Sequence, residues 1–269
     1  MSLLKNYRKR ELSFLANEIV DEYDFENEID VELIAKKFIS FYYDNYGVEE
    51  DGTEFEGLII YDGNYFHVHI NLDFVGFKDS KRARFSFAHE LGHYFIVEHH
   101  HLLKNNYNPS NFNPKETNII ELEANYFAGV FLMPEKKFKT LSNGAKFSLD
   151  LVTKISDYFN VSRLAVLLRY VEIGAYPLMI AYCKNGILEW FERNEEFPHK
   201  AFRTKVGKEL PINSTVGEYF RVGDYAKHTD IQRIDVEDWF YYNGKDEVIL
   251  NEQCFYSEYG YVISLIWPD

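Results

Sequence analysis

One six-residue stretch restricts the possible folds of this chain more than any other. Residues 88–93 contain the pattern His-x-x-x-His with a glutamate inside it, formed by His89, Glu90 and His93. If the stretch is helical, His89 and His93 lie one turn apart on one face, about 6 Å along the axis. Two imidazoles placed in this way can bind one metal ion. Glu90 would lie beside the ion, where it could take a proton from a water molecule.

The flanking residues predict that this helix is buried. Gly92, in its middle, costs about 1 kcal/mol relative to alanine, which indicates close approach of a strand or a substrate. Buried histidine and glutamate need partners, so the context favours a metal site over a chance pattern on a surface helix. The apolar flanking residues are Phe85, Phe87, Ala88, Leu91, Tyr94, Phe95 and Ile96.

A further helix, predicted over residues 115–132, could supply a third metal ligand. It ends before Pro134 and has one apolar face. Glu123 lies on or near that face, where a carboxylate needs a partner, and a zinc site with two histidines needs one more protein ligand. Glu123 is therefore the expected ligand, although it could also be an exposed carboxylate. Glu121, which points about 160° away on the helix, is the alternative.

Two blocks of sequence resemble the ImmA/IrrE family of metallopeptidases, which is similar to the gluzincin-type zinc proteases. The first block is residues 85–94, Phe-Ser-Phe-Ala-His-Glu-Leu-Gly-His-Tyr. The second, about 30 residues later, is Glu-x-Glu-Ala-Asn-Tyr-Phe-Ala at 121–128, followed by Leu-Met-Pro at 132–134. The two blocks in this order are more specific than the first block alone. The resemblance is strong over residues 55–135 and weaker on both sides.

The resemblance implies a role for each matching residue. His89, His93 and Glu123 correspond to the ligands of a Zn²⁺ ion, and Glu90 to the general base. Other divalent ions such as Mn²⁺ suit the same ligands. Asn125 would support the site or the fold. The family also implies a protein substrate, typically a helix-turn-helix repressor encoded nearby.

Several neighbouring residues are weaker candidates. Arg84 matches a basic position of the family and is expected to form an ion pair. The histidines at 99–101 are expected to form a solvated helix end, with metal binding as the minor alternative. The strand at 65–72 could offer its edge to an extended substrate. The oxyanion donor stays open among Tyr94, Tyr126, His67 and His69.

The whole pattern predicts an α+β fold with two domains. Residues 1–174 would form a helical zincin-like metallopeptidase domain with a small antiparallel sheet. It would begin with a helix within 3–22 and a helix at 31–39, whose inner face is Leu33, Ile34 and Phe38. Residues 175–269 would form a β-rich domain with a sensory or substrate-binding role.

Turn and cap residues place the smaller elements of this fold. Asp-Gly-Asn at 62–64 predicts a hairpin, and Asn-Gly at 243–244 predicts another between 239–242 and 247–250. Residues 148–174 resemble a helix-turn-helix. Its second helix is mostly apolar, which favours packing over DNA contact.

Composition limits the partners and the compartment. A net charge of −14 makes direct nucleic-acid binding an unfavoured function. Cys183 and Cys254 have no C-x-x-C partners, which indicates free thiols in a reducing compartment. No apolar run approaches 18 residues and no leader opens the chain, so a cytoplasmic protein without a membrane role is expected.

The favoured function is therefore a zinc-dependent endopeptidase that cleaves one partner protein, expected to be a helix-turn-helix repressor. A first alternative is a non-catalytic regulator, stabilised by metal, that binds a repressor or DNA. A second is a general peptidase for short peptides. Loss of biological activity on replacement of Glu90 separates the first from the favoured function, and turnover of unrelated peptides would indicate the second.

Overall fold

The described residues form two compact units. The first comprises Met1–Leu141 and Ser148–Val166, and the second comprises Ser142–Phe147 and Leu167–Asp269. Both contain helices and strands, so the predicted α+β class is confirmed. The predicted domain boundary between residues 174 and 175 stays a prediction. The computed structural model describes residues 4–23, 25–48, 54–105, 119–223, 230–256 and 260–269.

The first unit consists of helices and a small sheet. Its predicted N-terminal helix, its motif helix and its helix pair near residue 160 are all confirmed. Ser148 caps the first helix of that pair, and Asn160 ends it in the left-handed conformation. The elements are α1 (Asn6–Asp21), α2 (Val31–Ala35), β1 (Ser40–Asp44), β2 (Gly57–Tyr61), β3 (Phe66–Asn71), α3 (Leu72–Val75), α4 (Lys81–Phe95), α5 (Val97–Lys104), α6 (Ile119–Leu132), α7 (Glu135–Ser142), α8 (Leu149–Phe159) and α9 (Arg163–Ile173), which continues into the second unit.

The small sheet has the order β1-β3-β2. The predicted hairpin is confirmed as β2 and β3, but β1 runs parallel to β3, so the sheet is mixed and not antiparallel as predicted. The prediction that β3 offers a free edge is wrong, because β1 and β2 pair with its two sides. Among the described strands, β1 and β2 are the edges of the sheet, and β2 supplies the Ile59 N–H that bonds Glu90 of α4.

Two expectations about the N-terminal segments need correction. Asp30 caps α2, but this helix ends at Ala35 and not at residue 39 as predicted, and β1 follows within a few residues. Only Ile34 of the three expected inner residues is buried, whereas Leu33 and Phe38 are exposed. The predicted start of α6 at residue 115 lies outside the described residues, while its end before Pro134 is confirmed.

Helix α4 is buried by its contact with α6. Ser80 begins α4 by accepting a hydrogen bond from the backbone N–H of Ala83. At Gly92, an added Cβ would lie 3.2 Å from Cα of Ala124 and 3.1 Å from Cδ1 of Phe127. The glycine in the motif therefore allows the two helices to approach closely. The neighbour at Gly92 is helix α6, and not the strand or substrate that was expected there.

Replacing Gly92 with valine is expected to destabilise the protein by about 1–3 kcal/mol, because the added methyl groups would overpack the α4–α6 contact. Chemical denaturation measures this free energy of unfolding. Gly129→Val on α6 is the matched control: among the described residues, no heavy atom lies within 4 Å of a Cβ added there. Equal destabilisation by both variants would contradict the proposed role of Gly92.

The second unit is built on a five-stranded antiparallel sheet of order β5-β4-β8-β7-β6, which confirms the predicted β-rich region. Asn185 and Gly186 form a tight turn between β4 and β5, both with positive φ. The elements are β4 (Met179–Lys184), β5 (Ile187–Arg193), α10 (Thr215–Val222), β6 (Gln232–Asp235), α11 (Val236–Trp239), β7 (Ile249–Tyr256) and β8 (Tyr261–Pro268).

The predicted hairpin between residues 239–242 and 247–250 is wrong. Asp235 begins α11 with a capping box that involves Asp238, so the chain forms a helical turn where the first strand was expected. Strand β7 then pairs with β6 and β8. Local capping therefore outweighs the turn signal at 243–244.

One buried carboxylate is paired within the core of the second unit. The fully buried Glu252 on β7 accepts hydrogen bonds from the backbone N–H of Thr215, at the start of α10, and from the hydroxyl of Ser264. Cys183 and Cys254 are free thiols, as predicted, and both are buried. In the described parts of the chain, each helix is too short or too polar to cross a lipid bilayer.

Candidate metal centre

Three possible ligand atoms converge where α4 faces the start of α6. Nε2 of His89 lies 3.0 Å from Nε2 of His93. The Glu121 carboxylate lies against both rings, with Oε2 3.1 Å from His89 Nε2 and Oε1 3.3 Å from His93 Nε2. Within the described residues, this is the set of groups placed closely enough to hold a metal ion.

The spacing of these atoms fits a divalent ion such as zinc. Ligand atoms about 2.0–2.1 Å from a tetrahedral ion lie about 3.3 Å from one another, close to the observed separations. Oε1 of Glu121 is buried beside Nε2 of His93 and has no other hydrogen-bond partner within the described part of the chain. Zinc prefers imidazole nitrogen and carboxylate oxygen as ligands, and these three side chains offer both.

Hydrogen bonds on the far side of each ring orient the two histidines. Nδ1 of His89 lies 3.0 Å from Oδ1 of Asn125, and Nδ1 of His93 lies 3.2 Å from Nδ1 of His99. These contacts direct both Nε2 atoms towards Glu121. Asn125 thus contacts a predicted ligand, in agreement with the supporting role that the family resemblance implies.

Glu123, the residue expected as third ligand, lies in different surroundings. Its carboxylate accepts two hydrogen bonds from Arg8 of α1, at 2.8 and 2.6 Å, and one contact from His99 Nε2 at 3.1 Å. The structure therefore brings Glu121, the sequence alternative, to His89 and His93, and it does not bring Glu123 there.

The spacing along α6 explains this difference. Glu121 shares a face with Ala124, which contacts Gly92, and with Asn125, which contacts His89. Positions i, i+3 and i+4 form one stripe of a helix, and this stripe faces α4. In the sequence, the small residue Ala124 in this stripe marks the face of α6 that a neighbouring helix can approach. The apolar face of α6 as a whole had favoured Glu123 instead.

Glu90 lies beside the three ligand candidates and is 5% exposed. Its carboxylate receives a hydrogen bond from the backbone N–H of Ile59 on β2. A Cβ added at Gly57 would lie 2.8 Å from Oε1 of Glu90, so the glycine leaves room for this carboxylate. Burial raises the pKa of Glu90, which brings the group closer to a proton-transferring role near neutral pH.

Charges in the centre are strongly coupled. Burial acts to raise the pKa of Glu121, but hydrogen bonds and charges of His89 and His93 outweigh it and hold that pKa well below its usual value. Burial likewise acts to lower the pKa of His89, but Glu121 and Glu90 raise it above its usual value. The centre thus holds an ionised Glu121 carboxylate, and the negative charge there favours a proton or a cation at the two imidazoles.

The weaker candidates lie in varied surroundings. His67 and His69, on the face of β3, contact Asp62 and Tyr46, respectively. The hydroxyl of Tyr126 pairs with Ser13. None of these described contacts selects an oxyanion donor, which therefore stays open among the four candidates, Tyr94 included.

Arg84 and the histidine triplet have clearer outcomes. Arg84 forms the expected ion pair, with Glu28 at 2.7 Å. The expectation of a solvated triplet is wrong for His99, which is buried beneath α4 and α6. His101 is exposed, as expected.

Comparison with known families agrees with this geometry. The family described as the IrrE N-terminal-like domain, a peptidase family, matches residues 77–170. The matched segment contains α4, α5 and α6, and hence the whole candidate metal centre. The predicted resemblance is confirmed over this segment, which is similar to a metallopeptidase domain.

Beyond that segment, the similarity is one of fold. A solved structure described as a Mycobacterium tuberculosis transcriptional regulator is similar, with a TM-score of 0.59 and 15% identity over 96% of this chain and 76% of that chain. No curated protein matches the sequence.

Proposed function

We propose that this chain is a metal-dependent endopeptidase whose ligands are His89, His93 and Glu121. The observation that carries the proposal is the convergence of these three side chains beside the buried Glu90. Glu121 replaces Glu123 in the ligand set because it lies against both imidazoles. Zinc is the expected ion.

The residues of the centre divide the chemistry between them. A bound zinc ion would polarise a water molecule and the peptide carbonyl. Glu90, buried and held by the N–H of Ile59, would accept the proton of that water and pass it to the leaving amine. His89, His93 and Glu121 would keep the ion in place beside Glu90.

An extended substrate would bind along β2. This strand lies at an edge of its sheet, the N–H of its Ile59 donates to Glu90, and its Gly57 leaves room for that carboxylate. A peptide added to a free edge forms main-chain hydrogen bonds independent of sequence. Here it would carry its scissile bond past Glu90.

We propose that the substrate is a specific partner protein in the cytoplasm, a helix-turn-helix repressor encoded near this gene. The family resemblance implies such a substrate. The similar fold of a protein described as a transcriptional regulator agrees with a role in regulation. The second unit would then contribute to recognition or to the response to a signal.

The direct test is to incubate the zinc-loaded protein with the helix-turn-helix protein encoded next to its gene and to identify products by mass spectrometry. We expect cleavage at one position, abolished by a chelator and in the Glu90→Gln variant. A peptide mixture from a digested proteome serves as the comparison substrate. Broad cleavage of that mixture would favour a general peptidase, and binding of the repressor without cleavage would favour a non-catalytic regulator.

A further inference from the structure

We propose that His99 is a positioning residue for the metal ligand His93, and that Glu123 and Arg8 hold His99 in place. Four side chains form one connected series: His93 on α4, His99 on α5, Glu123 on α6 and Arg8 on α1. This inference rests on the proposed function, because the series matters for chemistry only if His93 binds a metal ion.

The contacts are continuous and largely buried. His99 is 2% exposed, and its two ring nitrogens lie 3.2 Å from His93 Nδ1 and 3.1 Å from Glu123 Oε2. Arg8 then contacts both carboxylate oxygens of Glu123. Arg8 also forms an ion pair with Glu98 of α5, which ties α1 to the same helix as His99.

The direction of each hydrogen bond follows from one condition. If His93 binds metal through Nε2, its proton is on Nδ1, and it must donate to His99. Nδ1 of His99 then accepts, so the proton of His99 is on Nε2 and is donated to Glu123. Glu123 accepts from His99 and from Arg8 at once. Every described donor in the series has an acceptor under this single assignment.

The series gives the two histidine ligands different supports. His89 is oriented by Asn125, whose side chain is exposed, whereas His93 is oriented by a buried imidazole backed by an ion pair. A hydrogen-bond acceptor behind a metal-bound imidazole fixes the ring and raises its basicity, and its loss typically weakens metal binding by about 10–100-fold. His99 should therefore affect metal affinity without contacting the metal.

The test measures zinc affinity by competition with a chromophoric chelator, and the visible absorption spectrum of the Co²⁺ form. His99→Phe is expected to bind zinc about 10–100-fold more weakly and to shift the Co²⁺ spectrum. His99→Gln can accept from His93 and donate to Glu123, so it should recover most of the affinity. His101→Phe, an exposed position on the same helix, is the matched control and should behave as wild type.

Folding is checked separately by circular dichroism and thermal unfolding of the metal-free proteins. If His99→Phe does not fold, Arg8→Met at the partly exposed end of the series takes its place, with weaker zinc binding expected. Wild-type affinity and an unchanged Co²⁺ spectrum in the folded variant would overturn the positioning role and leave the proposed function intact. Absence of zinc binding by the wild type would overturn both.

Discussion

The Glu90→Gln variant is expected to hydrolyse its substrate about 10²–10⁴-fold more slowly than the wild type, while it binds zinc with similar affinity. Glutamine has nearly the same size as glutamate and can still accept the hydrogen bond from Ile59. It cannot take a proton from water, which is the step assigned to Glu90. The rate is measured on the cleaved partner protein by quantitative mass spectrometry.

A matched control for this variant is Glu56→Gln, at the position before β2. Glu56 pairs with Arg82 and Ser86 at the surface of the same region, and it is absent from the group of ligand candidates. The Glu56→Gln variant should reduce the rate of hydrolysis far less than Glu90→Gln does. Substantial hydrolysis by Glu90→Gln would show that another group accepts the proton and would remove the central role of Glu90.

Local signals in the sequence were sufficient for much of the fold. Asp30, Ser80 and Ser148 each cap the helix that follows in the chain, because a capping side chain acts within three residues. The turn at 185–186 likewise follows from residues that tolerate positive φ. Such elements depend on neighbours in the chain, which a single sequence displays.

Contacts between distant segments were harder to predict. Glu121 and Glu123 both lie on α6, and their burial depends on which helices cover each face. Because α1 and α5 supply Arg8 and His99 to Glu123, this carboxylate is buried without being close to the ligand pair. The face of α6 towards α4 could have been identified only from the spacing of Glu121, Ala124 and Asn125.

His99 illustrates the same limit from the other side. Three successive histidines at a helix end favoured a solvated terminus, since charge near a helix C-terminus is stabilising. The turn between α4 and α5 instead directs one of them inwards. No pattern in the sequence shows that His99 is buried and His101 exposed. This difference depends on where α1, α4 and α6 lie around α5.

The Glu121→Gln variant is expected to lose most of the zinc that the wild type binds. Glutamine keeps the length of the side chain but lacks the negative charge, and a neutral amide is a poor zinc ligand. Glu123→Gln makes the same substitution two residues away. It should retain zinc, with affinity lowered by at most about 10–100-fold, because its oxygen can still accept from His99.

The most direct test of the metal centre is therefore the zinc content of the purified wild type, Glu121→Gln and Glu123→Gln, measured by elemental analysis after loading and removal of free ion. The proposed centre predicts near one zinc per chain in the wild type and in Glu123→Gln, and little in Glu121→Gln. Zinc retained by Glu121→Gln but lost from Glu123→Gln, or no zinc in the wild type, would contradict it.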